Sequence, residues 1–222
     1  LQIITDPSGK RKDLYQDVVG RLIAVREDPV TAKYDTYYEY DLLDNLTFTR
    51  QTGTCSNSNP ITSPCGGGQI RSFAYDTRKR LSSAINPELG GNSLSYWYDD
   101  DGNLTSKLSS GSPSLLINYT YDLLNRLQTR SYSDGTTPPV TYCYDGRTWD
   151  GNVGGCNGTS SIPSKQRLTE VGSTVSRTAY GYNAAGHVVS STQITAGQSY
   201  SFGYTYTAAM ALATETYPTG RV

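Results

Sequence analysis

The side chains that could do chemistry in this sequence are one histidine and a series of aspartates. His187 could act as a general base, but it occupies the position of a turn residue, which other copies of a sequence repeat fill with Arg or Asn. The aspartates could form carboxylate pairs of the kind that cleave glycosides. They recur, however, once per sequence repeat at one fixed position, which is typical of turn residues. We therefore predict no catalytic residue and no cofactor, and we expect that the protein is not an enzyme.

Two further groups could bind a metal ion. The run Asp99-Asp100-Asp101-Gly102 offers carboxylate oxygens to calcium but lacks the spacing of a dedicated calcium loop. The 4 cysteines are Cys55, Cys65, Cys143 and Cys156, and no two of them have the close spacing of zinc ligands. We predict disulfides, with Cys55–Cys65 and Cys143–Cys156 as the pairs close in sequence. The other two pairings stay open, as do zinc and free thiols.

The composition favours thin β layers over a deep apolar core. Hydrophobic residues make up 36% of the 222 residues, but there are 19 Tyr beside 3 Phe and 2 Trp. Aromatic residues are scarce in disordered chains, and a tyrosine packs its ring while its hydroxyl stays hydrogen-bonded. The net charge is -1 and no basic run occurs, so nucleic acid is not an expected partner. Neither a membrane-spanning stretch nor a signal peptide is recognisable.

An internal repeat organises the whole chain. Its unit reads Tyr-x-Tyr-Asp, followed after three residues by Arg or Asn and then Leu. The position of the Asp recurs every 23 or 24 residues, apart from two longer steps. It is occupied by Asp17, Asp41, Asp76, Asp99, Asp122, Asp145, Asn183 and Thr207. The longer steps indicate insertions at about 51–70 and 146–165, and the cysteines lie in or beside them.

Each repeat has the pattern of a β-hairpin. The two tyrosines are separated by one residue, so both rings lie on one face of a strand. The Asp begins a turn because its carboxylate can accept bonds from backbone N–H groups two residues on. Gly20, Gly102 and Gly186 allow the positive φ that such a turn needs, and Asn45 and Asn103 tolerate it. The following Leu starts the return strand.

These arguments define the predicted structural residues. The turn residues are Asp17, Asp41, Asp76, Asp99, Asp122, Asp145, Gly20, Gly102 and Gly186. The aromatic layer is formed by Tyr38, Tyr40, Tyr75, Tyr96, Tyr98, Tyr119, Tyr121, Tyr142, Tyr144, Tyr180 and Tyr182. A single hairpin is marginally stable in water, so neighbouring hairpins must pair edge to edge. We predict one all-β array over residues 1–222, with about eight antiparallel hairpins in a curved, spiralling sheet.

This pattern resembles the YD repeats of the Rhs family, which includes bacterial Rhs polymorphic toxins, wall-associated toxins, toxin-complex shells and teneurins. The resemblance extends from about Asp6 to Val222. It implies a segment of a hollow β-shell that encloses or presents a toxin or other cargo, in a secreted or cell-surface protein. Family shells are much longer, so the chain is expected to be a fragment. Predicted disulfides agree with an oxidising compartment.

A second function stays open at this point. Unpaired sheet edges could join copies of the chain into an extracellular filament. Exposed tyrosines could stack on sugars, so an adhesin that binds surfaces or glycans is the alternative. In either case the expected partners are neighbouring repeats or other copies of the chain.

Overall fold

The computed structural model describes residues 1–158 and 163–222, and within them the protein is built from β-strands. These described residues form 19 strands and one short 3-10 turn at Pro87–Leu89. The strands are β1 Gln2–Thr5, β2 Arg11–Gln16, β3 Leu22–Glu27, β4 Tyr34–Tyr40, β5 Leu46–Thr54, β6 Gln69–Tyr75, β7 Leu81–Ile85, β8 Ser93–Tyr98, β9 Leu104–Ser109, β10 Leu115–Tyr121, β11 Leu127–Tyr132, β12 Val140–Tyr144, β13 Thr148–Trp149, β14 Cys156–Asn157, β15 Leu168–Gly172, β16 Ser176–Tyr182, β17 Val188–Thr195, β18 Gln198–Tyr206 and β19 Leu212–Thr216. No helix in these ranges is long and apolar enough to cross a membrane.

The chain forms two compact units. The first contains Leu1–Trp97 and Leu108–Ser114, and the second contains Tyr98–Lys107 and Leu115–Val222. In the first, each strand from β1 to β8 pairs antiparallel with the next. In the second, the same order runs from β10 through β11, β12, β15, β16, β17 and β18 to β19. The predicted all-β fold of antiparallel hairpins is confirmed.

A β-bulge recurs at the turn end of the hairpins. In the hairpin of β4 and β5, Glu39 lies opposite Phe48 but Tyr40 lies opposite Leu46, so Thr47 is an extra residue in the return strand. The same register shift occurs in the hairpins that begin with β2, β6, β10, β12, β16 and β18. A bulge bends and twists its strand locally. Each hairpin therefore reaches its turn with a similar local geometry.

The interior is thin and unusually polar. The buried apolar residues are Ala24, Tyr37, Cys55, Ala84 and Cys143. They are accompanied by buried Asp13, Arg26, Asp35, Thr52, Thr129, Thr141, Thr169 and Glu170. Buried polar groups must be hydrogen-bonded or they destabilise the fold. The stability of both units therefore depends on the hydrogen bonds described below.

Two long loops interrupt the hairpins at different places. The first loop, residues 55–68, connects β5 to β6 and so joins one hairpin to the next. The second loop, residues 146–166, lies within a hairpin, between β12 and β15, and contains the small strand pair of β13 and β14. Residues 159–162, within the predicted insertion at 146–165, lie outside the described part of the chain.

Candidate functional site

The aspartate turn closes each hairpin through its own carboxylate. In the turn of Asp41, the backbone N–H of Asp41 donates to the carbonyl of Asn45 at 2.9 Å. The N–H groups of Leu43 and Asn45 both donate to Asp41 Oδ1 at 2.9 Å. The side-chain amide of Asn45 donates to Asp41 Oδ2 at 2.8 Å. A single carboxylate thus accepts three hydrogen bonds from the turn, as in an Asx turn.

The closing backbone bond recurs along the repeats, and the carboxylate recurs wherever the turn begins with Asp. Arg replaces Asn in other copies, and its Nε donates to the carboxylate at 2.7 Å in Arg21, Arg80 and Arg126. Turns with the same closing backbone bond begin at Asp6, Asp17, Asp41, Asp76, Asp99, Asp122, Asn183, Thr207 and Tyr217. The Arg or Asn after the turn is thus a functional part of it, and its regular recurrence in the sequence was the signal for that role.

The residue before this Arg or Asn adopts a left-handed backbone. Gly20, Gly102 and Gly186 have φ of 91°, 92° and 86°. In the Asp41 turn the left-handed residue is Asp44, with φ 65°, and not Asn45. Left-handed backbone favours glycine, yet here the hydrogen bonds around the carboxylate hold a non-glycine residue in it. Asn45 instead contributes its side-chain amide.

The turn carboxylates are held in their ionised form. The side-chain amide of Asn45 lowers the pKa of Asp41, against an opposite and smaller effect of desolvation. The backbone N–H groups of Asn45 and Leu43 lower the pKa of Asp41 further. In the Asp76 turn, the backbone N–H of Arg80 has the largest lowering effect on the pKa. Hydrogen bonds to the charged form favour it, so these turns are most ordered when their carboxylates are ionised.

The second tyrosine of the repeat joins one hairpin to the preceding one at six places. The hydroxyl of Tyr40 donates to the carbonyl of Leu22 at 2.9 Å, across to the first residue of the earlier return strand. Equivalent bonds join Tyr75 to Leu46, Tyr121 to Leu104, Tyr144 to Leu127, Tyr182 to Leu168 and Tyr206 to Val188. Because the acceptor is a backbone carbonyl, the bond depends on position in the repeat and not on the residue type of its acceptor.

An arginine adds a second contact between consecutive repeats. The guanidinium of Arg126 lies 4.4 Å from the ring centre of Tyr144, and Arg21 lies 5.2 Å from that of Tyr40. Arg126 also donates to Asp145 of the next repeat at 2.9 Å. Cations above an aromatic face are attracted to it. The turn arginine therefore closes its own hairpin and contacts the next.

All the predicted layer tyrosines lie half-buried in the sheet. Burial raises the pKa of the Tyr38, Tyr121 and Tyr182 hydroxyls above the usual value. These hydroxyls therefore stay protonated and able to donate at physiological pH. His187 lies at the Arg or Asn position of its turn, where its ring stacks on Tyr206 with centroids 4.5 Å apart.

Each long loop has one disulfide: the first lies within its loop, and the second joins its loop to β12. Cys55 is bonded to Cys65 and Cys143 to Cys156, with Cα atoms 6.0 and 5.7 Å apart. In the second loop, Asp145 still donates its N–H to the carbonyl of Arg167 at 3.0 Å. This is the closing bond of an ordinary turn. The second loop is thus an enlarged aspartate turn, with Arg167 in the place of the turn arginine.

The first loop covers a buried ion pair that sequence reasoning missed. Arg26 and Asp35 are opposite residues on β3 and β4, and they are 2% and 0% exposed. Two bonds of 2.7 Å join the guanidinium to the carboxylate. Opposite charges at facing positions of adjacent strands were the available signal. The pair belongs to no repeated motif, because other repeats lack it.

The geometry defines a class of protein: an all-β array in which aspartate turns and tyrosine–carbonyl bonds repeat along the chain. Residues 98–137 match the family model of the RHS Repeat. The fold is similar to the crystal structure of TcdB2-TccC3-Cdc42, with a TM-score of 0.63 and 14% identity, over 97% of this chain and 12% of that chain. The fold is also similar to the crystal structure of TcdB2-TccC3-TEV, with a TM-score of 0.59 and 14% identity, over 96% of this chain and 12% of that chain. No curated protein matches the sequence.

These comparisons confirm the predicted relationship. Residues 98–137 are similar in sequence to the family model of the RHS Repeat, and almost the whole chain is similar in fold to the two solved structures. The chain spans 12% of the length of the two solved chains.

Proposed function

We propose that the chain is a structural segment of the wall of an Rhs-type shell, without a catalytic role. The observation that carries this proposal is the tyrosine–carbonyl bond, which recurs between consecutive hairpins in both compact units. This bond joins each new hairpin to the sheet, and it assigns the tyrosine a structural role. The similarity in fold to TcdB2-TccC3-Cdc42 supports the proposal.

The shell would belong to a secreted or cell-surface protein and would enclose or present a toxin or another cargo. Both parts of this assignment follow from the family resemblance. The two disulfides support the location, because disulfides persist in oxidising compartments. The partners of the segment are then neighbouring repeats of the same protein, together with the cargo.

One observation favours the alternative of a self-assembling filament or adhesin. Several turns expose aliphatic side chains at their tips, among them Val18, Leu42 and Leu123, with relative exposures of 103%, 102% and 104%. Exposed apolar groups promote association between molecules when they lie close together. Copies of the chain joined through these tips would form an open assembly in place of a closed shell.

Electron microscopy of the complete natural protein that contains these repeats separates the two assignments. A closed shell is expected, and any segment enclosed in it should resist added protease until urea opens the wall. Open filaments, or a cargo segment cleaved equally fast with and without urea, would contradict the shell. Binding of the same preparation to a glycan array, with filaments in the images, would favour the adhesin.

A further inference from the structure

We propose that the first loop is a redox-controlled cover over the buried Arg26–Asp35 pair. In this proposal the Cys55–Cys65 disulfide keeps the loop closed. Its reduction releases the loop and admits water to the ion pair, while strands β3 and β4 stay folded. The inference concerns the first compact unit alone and does not rest on the shell assignment.

The closed loop completes the hydrogen bonding of Arg26. A guanidinium has five N–H donors. Two of them donate to Asp35, at 2.7 Å each. The other three donate to the loop, reaching the carbonyls of Asn57 and Ser58 at 3.2 and 3.0 Å and Asn57 Oδ1 at 2.5 Å. A buried charge is tolerated when all its donors are satisfied, so the position of the loop is set by Arg26.

The loop also contacts the acidic side of the pair. The hydroxyl of Tyr37 donates to Asp35 Oδ2 at 2.9 Å and accepts the N–H of Cys65 at 3.0 Å. Cys65 is one half of the disulfide. Cys65 therefore provides both the disulfide that closes the loop and the loop's hydrogen bond to Tyr37. Reduction frees Cys65 from Cys55 at the same place where the loop holds Tyr37.

At its start the loop is also held by buried Pro60 and by the N–H of Cys55, which donates to the carbonyls of Ala32 and Lys33. Within the described residues, its second half lacks such anchors apart from Cys65. Its Gly66-Gly67-Gly68 run is flexible in an unfolded chain, and ordering such a segment has a large entropic cost. The disulfide reduces this cost by limiting the unfolded loop. Once the loop opens, water can replace the three loop acceptors of Arg26 while Asp35 remains its partner. Opening therefore requires no unfolding of the strands, as in other local opening events.

The reaction is an exchange with a dithiol reductant. Cys65 is part-exposed and Cys55 is 3% exposed, so a thiolate of the reductant attacks Cys65 Sγ, and Cys55 leaves and takes up a proton. The second thiol of the reductant then attacks the mixed disulfide. Cys65 is released as a thiol and the reductant becomes a disulfide. Two electrons and two protons pass from the reductant to the protein.

The second loop provides a matched control, because its anchors do not depend on its disulfide. Cys143 lies within β12, which pairs with strands on both sides. The loop is held to the sheet by Thr141, whose Oγ1 accepts the N–H of Gly154 at 2.9 Å. Thr169 Oγ1 donates to the carbonyl of Arg147 at 2.7 Å. These contacts remain when Cys143–Cys156 is reduced.

Native-state hydrogen exchange of the full chain, followed by mass spectrometry with and without dithiothreitol, tests the proposal. Alkylation of the freed thiols reports the extent of reduction. Amides of residues 55–68 should exchange at least about tenfold faster after reduction, which corresponds to about 1.4 kcal/mol. The double variant Cys55→Ser/Cys65→Ser should show the same exchange without reductant. In Cys143→Ser/Cys156→Ser, residues 55–68 should still respond to dithiothreitol.

Three outcomes would overturn the proposal. The first is a Cys55–Cys65 bond that dithiothreitol leaves intact in the folded protein. The second is complete reduction with unchanged exchange in residues 55–68. The third is an equal acceleration in β3 and β4, since this would show unfolding of the unit in place of opening of a cover.

Discussion

Both long loops are closed by a disulfide, but the buried charges beside them differ in how completely they are hydrogen-bonded. The first loop covers the Arg26–Asp35 pair, in which every donor of the guanidinium is satisfied. The second loop lies near Glu170, a buried carboxylate whose Oε1 accepts no hydrogen bond. Its nearest charge is Arg177, with Nη1 3.5 Å from that oxygen. We therefore expect the buried charges beside the two loops to have opposite effects on stability.

The difference arises from the residues that surround each charge. At the first loop, removing one charge strands the other in the interior. At the second loop, the aromatic ring of Trp149 packs on Gly172, and Glu170 contributes a charge that the interior disfavours. Charge removal should therefore destabilise the first unit and stabilise the second.

The largest effect is expected for Arg26→Met, which keeps the volume of the side chain and removes its charge. Asp35 is then buried without a partner, which should lower the free energy of unfolding by about 3–5 kcal/mol. Urea titration of the full chain measures the change. Arg71→Met is the control, because its partner Glu88 is exposed, and it should lose under about 1 kcal/mol. If Arg26→Met lowered the free energy of unfolding as little as Arg71→Met, the buried pair under the first loop would not stabilise the fold as proposed.

The double variant Arg26→Met/Asp35→Leu sharpens this test. Replacing a whole buried ion pair by apolar side chains often preserves stability. We expect it to recover most of the loss caused by Arg26→Met. Failure to recover would mean that the loop needs the charge of Arg26 itself, beyond its pairing with Asp35.

The next largest effect is expected for Gly172→Ala beside the second loop. A Cβ at this position would lie 2.6 Å from the ring of Trp149, so the ring must move, at a cost of about 2 kcal/mol. Gly203→Ala is a matched strand position, where the Cβ would meet Thr216 at an ordinary 3.7 Å. Urea unfolding that shows equal stability for the two variants would mean that Trp149 does not anchor the second loop.

Glu170→Gln should stabilise the second unit by about 1–2 kcal/mol at pH 7, since it removes an incompletely paired buried charge. Burial raises the pKa of Glu170 above its usual 4.5. The favourable contribution of its neutral form is thus complete below about pH 4.5 and is lost as pH rises through the raised pKa. The gain from Gln should accordingly disappear at pH 4.

Unfolding of the Glu170→Gln variant at pH 4 and pH 7, beside exposed Glu39→Gln, measures this dependence. A gain at Glu170 that is equal at both pH values would show that charge is not its cause. A loss at pH 7 would show that the contact with Arg177 outweighs the desolvation of Glu170.

The smallest effect is expected for loss of a tyrosine–carbonyl bond in either compact unit. Tyr40→Phe removes a bond beside a short turn, and Tyr182→Phe removes one beside the second loop, at 2.9 and 2.5 Å. Each should lose about 1 kcal/mol, whereas exposed Tyr200→Phe should change stability by under about 0.5 kcal/mol. Calorimetric melting measures all three. A much smaller loss at Tyr182 would mean that the second loop weakens the join between repeats.

Much of the fold could be predicted because the repeat is a local signal. The spacing of Tyr38, Tyr40 and Asp41 places one strand and its turn without any long-range information. The residue with a left-handed backbone was recognisable at Gly20, because glycine at this position indicates a positive φ. It was not recognisable at Asp44, because hydrogen bonds to the turn carboxylate, and not residue preference, hold its φ at 65°.

The interior polar residues show where such prediction ends. Arg26 and Glu170 belong to no motif, and their burial depends on loops whose paths the sequence does not reveal. The tyrosine–carbonyl bond was hidden for another reason. Its acceptor is backbone, so no side chain in the preceding repeat marks the position of the bond.

The enlarged turn at Asp145 has a consequence for protein engineering. Its closing bond to Arg167, at 3.0 Å, is almost the same as the 2.9 Å bond from Asp41 to Asn45, although one encloses residues 146–166 and the other residues 42–44. The hairpin frame therefore tolerates chains of different length between its two closing residues. A foreign epitope spliced in place of residues 42–44 would be displayed at the tip of its hairpin, with the strands on either side unchanged.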